Sequence, residues 1–196
     1  MLRYIISLLL ISTTLTAMHQ LKIDLNSDDI DAKIELDVGQ FNHNVDPESL
    51  IVGSRYLYSS TKHSDFDDDV YLLDVHFLVQ QQIGSSREFS FGLGAKLLHT
   101  IVNEDDFFAL PLGMESSYRL PLSSSIPIRI SALLYYSPSV ISFGDAKNYV
   151  EMEARVHIDI IERAGIGAGY RKIETNFTTQ DAIFTQTWFV GMSFKF

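Results

Sequence analysis

Apolar and polar residues alternate along most of this chain, and the alternation breaks only at short clusters of turn-forming residues. Residues 30–38 read Ile, Asp, Ala, Lys, Ile, Glu, Leu, Asp, Val, a period of two that predicts a half-buried strand. Leu21, Ile23 and Leu25, interleaved with Lys22 and Asp24, predict a shorter partner joined to it through the turn-prone residues 26–29. Over 50–59, Val52, Tyr56 and Tyr58 share one face and Arg55 takes the other; over 70–83, Tyr71, Leu73, Val75, Phe77 and Val79 oppose Asp74, His76, Gln80 and Gln82. The same pattern predicts strands over 89–97, 108–120, 126–136, 149–160 and 166–172. It ends with 183–196, where Phe184, Trp188, Val190, Met192, Phe194 and Phe196 fall on one face. Pro111 removes a ladder donor from the sixth strand, which predicts a bulge or a late start to its pairing.

Ten such segments fit an all-β fold. Short turns at Gly84, Pro121 and Glu162 alternate with longer acidic connections starting at Ser60, Thr100, Ser137 and Glu174. Tilted strands of about 9 to 11 residues cross a bilayer, and an even strand number with unequal connections is the habit of outer-membrane barrels. The expectation is a transmembrane antiparallel up-and-down β-barrel of about ten strands, or eight if the 21–38 hairpin stands outside the ring. The last strand resembles the C-terminal signal of Gram-negative outer-membrane barrels. In that reading Trp188, Val190, Met192, Phe194 and Phe196 address the chain to the barrel assembly machinery.

Residues 1–17 place Arg3 ahead of an apolar stretch and end on small or hydroxylated residues, the pattern of a cleaved secretory signal peptide. A single barrel domain is then expected over 18–196. The absence of cysteine from all 196 residues removes disulfides and thiolate chemistry together. A net charge of -10 argues against nucleic acid, because phosphate binding needs clustered Lys and Arg.

Turning the apolar face toward lipid sends the ionic face inward. The residues expected to line the lumen are Asp31, Lys33, Glu35, Arg55, Asp74, His76, Lys96, Glu115, Arg129, Glu151, Glu153, Arg155, His157, Asp159, Arg171 and Lys195. Across all ten strands the inward charges number nine acids and nine bases, so paired side chains are expected to fill the interior. The aromatics Tyr56, Tyr58, Tyr71, Tyr118, Tyr136 and Trp188 suit interfacial girdles. The negative excess is expected in connections such as Asp65, Asp67, Asp68, Asp69, Glu104, Asp105 and Asp106, either as a solvated surface or as a divalent-cation contact with lipopolysaccharide.

Candidate chemistry is sparse. Nucleophile-elbow, P-loop and zincin motifs are absent. His99 with Thr100 is the one pair placed where a lipid-modifying enzyme would need it, and an interfacial His also serves as a polar cap. His76 and His157 read as members of the lumen network or as metal ligands. Asp65, Asp67 and Asp69 open like an EF-hand, but Val70 replaces its glycine and His76 its closing glutamate. No enzyme activity, metal or cofactor is expected.

The segments LKIDLNSDDIDAKIEL, VGSRYLYSS, FSFGLGAK, GIGAGYR and VGMSFKF, together with the leader, resemble the YfaZ family of outer-membrane proteins across the whole exported chain. The resemblance implies an outer-membrane barrel with a porin-like role and carries over no catalytic residues. The expected function is therefore a small porin-like or structural envelope barrel in the Gram-negative outer membrane. Its partners would be outer-membrane lipids and lipopolysaccharide, with small solutes or ions as candidate cargo. A surface adhesion or lipopolysaccharide-contact protein acting through the acidic loops is the alternative.

Overall fold

The computed structural model describes residues 19–60, 70–84, 88–102, 105–121, 127–144, 146–177 and 181–196; the expected leader and the acidic stretch 61–69 lie outside them. The described strands are β1 (Gln20–Leu25), β2 (Asp29–Asp37), β3 (Leu50–Ser59), β4 (Val70–Ile83), β5 (Phe89–Val102), β6 (Asp105–Ala109), β7 (Leu112–Leu120), β8 (Ile128–Ser137), β9 (Ser142–Gly144), β10 (Ala146–Ile161), β11 (Ala164–Phe177) and β12 (Asp181–Lys195). All pair antiparallel. The order β4-β3-β2-β1-β12-β11-β10-β8-β7-β5, with a further β4–β5 ladder, closes a ring of ten. The 21–38 hairpin belongs to that ring, which settles ten strands against eight.

The two remaining strands extend members of the ring. Ala95 pairs with Leu112 and Leu98 with Ala109, three steps on each side, so β6 and β7 are one strand interrupted at Leu110 and Pro111. The Lys96 amide donates to the Pro111 carbonyl at 2.9 Å. The bulge expected at Pro111 is therefore absent from that strand, because proline withholds one donor without shifting the register. Extra residues emerge one strand over, where Pro138 and a 3-10 turn over Ser139–Ile141 separate β8 from β9.

Register fixes the girth. From Leu25, the cross-strand pairs lead through β2, β3 and β4 to Ile101, and through β12, β11, β10, β8 and β7 to Phe89. These two positions lie twelve residues apart on β5. With ten strands, that stagger implies a tilt of about 40° and a backbone radius of about 10 Å. Side chains can nearly fill such a bore.

The two faces differ as the alternation requires. On β4, Leu73, Val75, Phe77 and Val79 are 38–63% exposed, while Leu72, Asp74, His76 and Leu78 are at most 5% exposed. The outer face of the other strands is likewise apolar, and Tyr170 meets Trp188 edge-on at 5.3 Å. Beyond that pair the outer face of β11 turns polar, with Lys172 and Glu174 at 2.5 Å. A closed sheet satisfies its own backbone, and an apolar exterior then suits lipid alone. This is a β-barrel of the Gram-negative outer membrane.

Gln20 and Lys195 lie on one side of the ring, called here the terminal side; the opposite side is distal. Two expectations about the distal side need correction. Of the connections read as long acidic loops, the three starting at Thr100, Ser137 and Glu174 are, in their described residues, mostly ladder: β5 runs to Val102, β10 starts at Ala146 and β11 reaches Phe177. The one starting at Ser60 lies outside the described residues over 61–69. The longest described connection, residues 38–49, is instead on the terminal side. Phe184 was also expected outside with Trp188. It points in and is 1% exposed, because pairing slips between Ile173↔Thr185 and Glu174↔Ile183. A bulge there reverses the alternation.

Closure between β1 and β12 rests on six residue pairs, whereas β10 and β11 share fourteen. Above the short β1–β2 hairpin, Asp29 clasps the neighbouring strands. Its carboxylate accepts from Ser59 at 2.6 Å, from Asn26 at 2.9 Å and from Thr185.

Candidate functional site: the barrel interior

Three zones follow one another down the lumen. At the distal end, Leu57, Val70, Leu72, Leu98, Phe107, Ala109, Tyr149, Ile173 and Phe184 form one cluster, each at most 2% exposed. They come from seven strands around the ring. The ionic face expected throughout the lumen therefore gives way to an apolar layer here.

Beneath that layer runs a chain of ion pairs. Lys96 Nζ meets Glu151 at 2.6 Å, and Glu151 also meets Arg55 at 2.6 Å. Arg55 continues to Asp31 at 2.9 Å, Asp31 to Arg171 at 2.6 Å, and Arg171 to Glu153 at 2.8 Å and Asp24 at 2.9 Å. Arg155 then joins Asp24 and Glu153. The chain alternates four acids with four bases, and Asp74 adds a fifth carboxylate at 4.0 Å from Arg55. Unpaired charges in such a setting cost several kcal/mol each, which is why the network must be continuous.

Aromatic rings brace it. The Lys96 ammonium stands 4.1 Å over the Tyr135 ring, and Arg155 and Arg171 lie at 4.8 and 4.6 Å from Phe189. Tyr135 donates to Glu115 at 2.7 Å and Tyr149 to Glu151 at 3.1 Å. Tyr135 fits because Gly94 and Gly113 flank it: a Cβ on either would strike its ring or hydroxyl. Asp74 meets His76 at 3.0 Å, and Arg55 Nη2, Asp74 Oδ2 and His76 Nε2 are buried without a hydrogen-bond partner.

The third zone is a cavity of ≈ 350 Å³. Its lining descends from the ion pairs to the strand ends on the terminal side, at Gln20, Gln82, Glu88, Arg119 and Lys195. Lys22 and Lys33 both reach Glu35, at 2.8 and 2.7 Å. Near the mouth, Asp159 meets His157 at 3.1 Å and Lys195 at 3.4 Å.

Each residue named in advance for the lumen occupies the inner face. Asp31, Arg55, Asp74, His76, Lys96, Glu151 and Arg171 are buried in the ionic layer. Glu153 and Arg155 border it, and Lys33, Glu35, Arg129, His157 and Lys195 line or flank the cavity. Trp188, Val190, Met192 and Phe194 are exposed on the outer face, and the Phe196 amide donates to the His19 carbonyl at 3.0 Å. His99 and Thr100 do not form a pair. Thr100 points inward and donates to the Tyr71 carbonyl, while His99 lies beside Phe108 on the other face. Among the described residues, no group of three or more His, Cys, Asp or Glu could hold a metal ion. Asp65, Asp67, Asp68, Asp69 and Glu104 lie outside the described residues, as do the side chains of Asp105 and Asp106.

Sequence reasoning did not find the apolar layer, Phe189 or the role of Tyr135. The apolar layer had a signal that parity could have exposed. Leu57, Leu72, Leu98, Tyr149 and Ile173 each stand two residues distal to a network ion, in step with Arg55, Asp74, Lys96, Glu151 and Arg171.

Solved structures similar to this chain include outer-membrane proteins at low identity. A bacterial polysaccharide outer membrane secretin shares 15% identity, covering 86% of this chain and 56% of its own, with a TM-score of 0.46. The KdgM porin shares 8% over 91% and 98%, at 0.44. The channel DcaP of Acinetobacter baumannii shares 8% over 94% and 55%, at 0.42. The chain thus spans little more than half the length of the first and third. No curated protein sequence matches it. A family profile described as YfaZ precursor matches residues 2–196, and on that match the chain belongs to the YfaZ family.

Proposed function

We propose that this protein is a closed envelope barrel, porin-like in fold, whose interior forms no continuous water path across the outer membrane. The terminal side faces the periplasm and the distal side the exterior. The observation that carries this reading is the apolar layer, nine side chains each at most 2% exposed. Water avoids a cavity without polar partners, and an ion entering such a layer loses its hydration without compensation. The ion-pair chain beneath adds a second barrier, since its charges are committed to one another. The small bore supports the same reading, because barrels of this size have little room beyond their side chains.

Planar-bilayer recording of the purified, refolded protein tests the proposal. Few or no conductance steps are expected. Large, stable steps from the unmodified chain would overturn it.

A further inference from the structure

Most bases lining the cavity are paired with carboxylates, but two are not. Arg119 and Arg129 sit directly opposite each other across β7 and β8, and both line the cavity near its terminal mouth. Like charges in direct cross-strand register destabilise a sheet. Among the described residues, neither guanidinium takes part in any ion pair or side-chain hydrogen bond. Glu88 lines the same cavity and pairs with neither. The connections on that side outside the described residues, 85–87 and 122–126, contain no acid. His157, in register with Arg129 on the next strand, adds no negative charge.

The row just above is rich in hydroxyls. Ser90 and Ser117 lie 2.8 Å apart, and Ser117 stands in register with Ser131. Two planar guanidinium groups and these hydroxyls form a donor-rich wall that suits oxygen anions, which arginine binds in bidentate fashion. The cavity volume falls within the range of small-molecule sites.

We propose that Arg119 and Arg129 form a binding site for a small multivalent oxyanion, a phosphate or a carboxylate, that enters the barrel from the periplasm. The site needs a mouth only on the terminal side. Its test is therefore independent of whether the barrel conducts.

Calorimetric titration of the refolded protein in detergent, with inorganic pyrophosphate and with citrate separately, reads the site. Binding of at least one anion is expected, weakening with added salt, and whichever binds assigns the chemistry. The double variant Arg119→Gln, Arg129→Gln should lower the affinity tenfold or more, while Lys172→Gln on the outer face leaves it unchanged. Heat-modifiable migration checks that the variant is folded, and relief of the cross-strand repulsion should raise its denaturation midpoint without anion. Absence of binding to the unmodified protein, or equal binding by the double variant, overturns the proposal. An unchanged or lowered midpoint also overturns it, since the arginines would then have partners within the chain.

Discussion

Lys96 and Glu151 meet at 2.6 Å, each with its side chain only 1% exposed, from strands on different parts of the ring. Among the described residues, Lys96 reaches no other acid within ion-pair distance, whereas Glu151 also holds Arg55. Removing one partner of a buried pair leaves the other uncompensated, at about 3–5 kcal/mol. Glu151→Leu strands Lys96, takes one of three carboxylates from Arg55 and leaves the Tyr149 hydroxyl without its acceptor. It should therefore lower stability more than Lys96→Met, which leaves Glu151 with Arg55 and Tyr149. Urea midpoints of the refolded variants check the order; equal losses would mean that the two pairs are not coupled.

The packing of Tyr135 against two glycines gives a steric prediction. Gly94→Val forces a branched side chain onto the Tyr135 hydroxyl, the atom that a Cβ there meets first, and overpacking of this kind costs about 1–3 kcal/mol or more. Tyr135→Ala in the same background should recover much of that loss, at the expense of the hydrogen bond to Glu115. A double-mutant cycle on the denaturation midpoint measures the recovery. Strictly additive losses would show that the two sites do not touch.

The apolar layer should behave as a core even though it lies inside a membrane barrel. Leu98 is 0% exposed, so Leu98→Ala should cost about 2–5 kcal/mol. Leu97→Ala, at the neighbouring but lipid-facing position, should cost less. Parallel urea titrations decide, and the reverse order would contradict the assignment of faces on β5.

Asp29 accepts from three side chains of its surroundings. Asp29→Ala leaves Asn26 and Thr185 without this acceptor, while Ser59 keeps the Phe184 carbonyl at 2.9 Å, with an expected loss of about 1–3 kcal/mol for each stranded donor that stays buried. Faster amide exchange over 183–189 should accompany it, read by hydrogen–deuterium mass spectrometry. Unchanged protection there would show that the clasp does not hold β12.

The alternation made strand number, face assignment and the set of inward ions readable before any coordinates, because lipid outside and charge inside leave a signal at every second residue. What it hid was non-local. Phe184 sits on the outward parity of Trp188, and only a bulge, which depends on how β11 and β12 pair, turns it inward. Pro111 was a visible defect, but its small effect depends on the Lys96 amide finding the Pro111 carbonyl. Leu57 and Ile173 share the parity of Arg55 and Arg171 and needed only to be read along the same inner face. Which end of the barrel they line became plain when five strands placed such residues at one end. The lack of partners for Arg119 and Arg129 is a relation among strands that no single segment records.

The β1–β12 junction, with six rungs against fourteen at β10–β11, makes the hoop uneven in strength around its circumference. Rupture starts where the fewest bonds must break together; β1–β2 has six rungs as well but is tied by its turn, so the wall parts first between its first and last staves. The same junction is the natural last one to zip shut when the sheet curls up in the membrane.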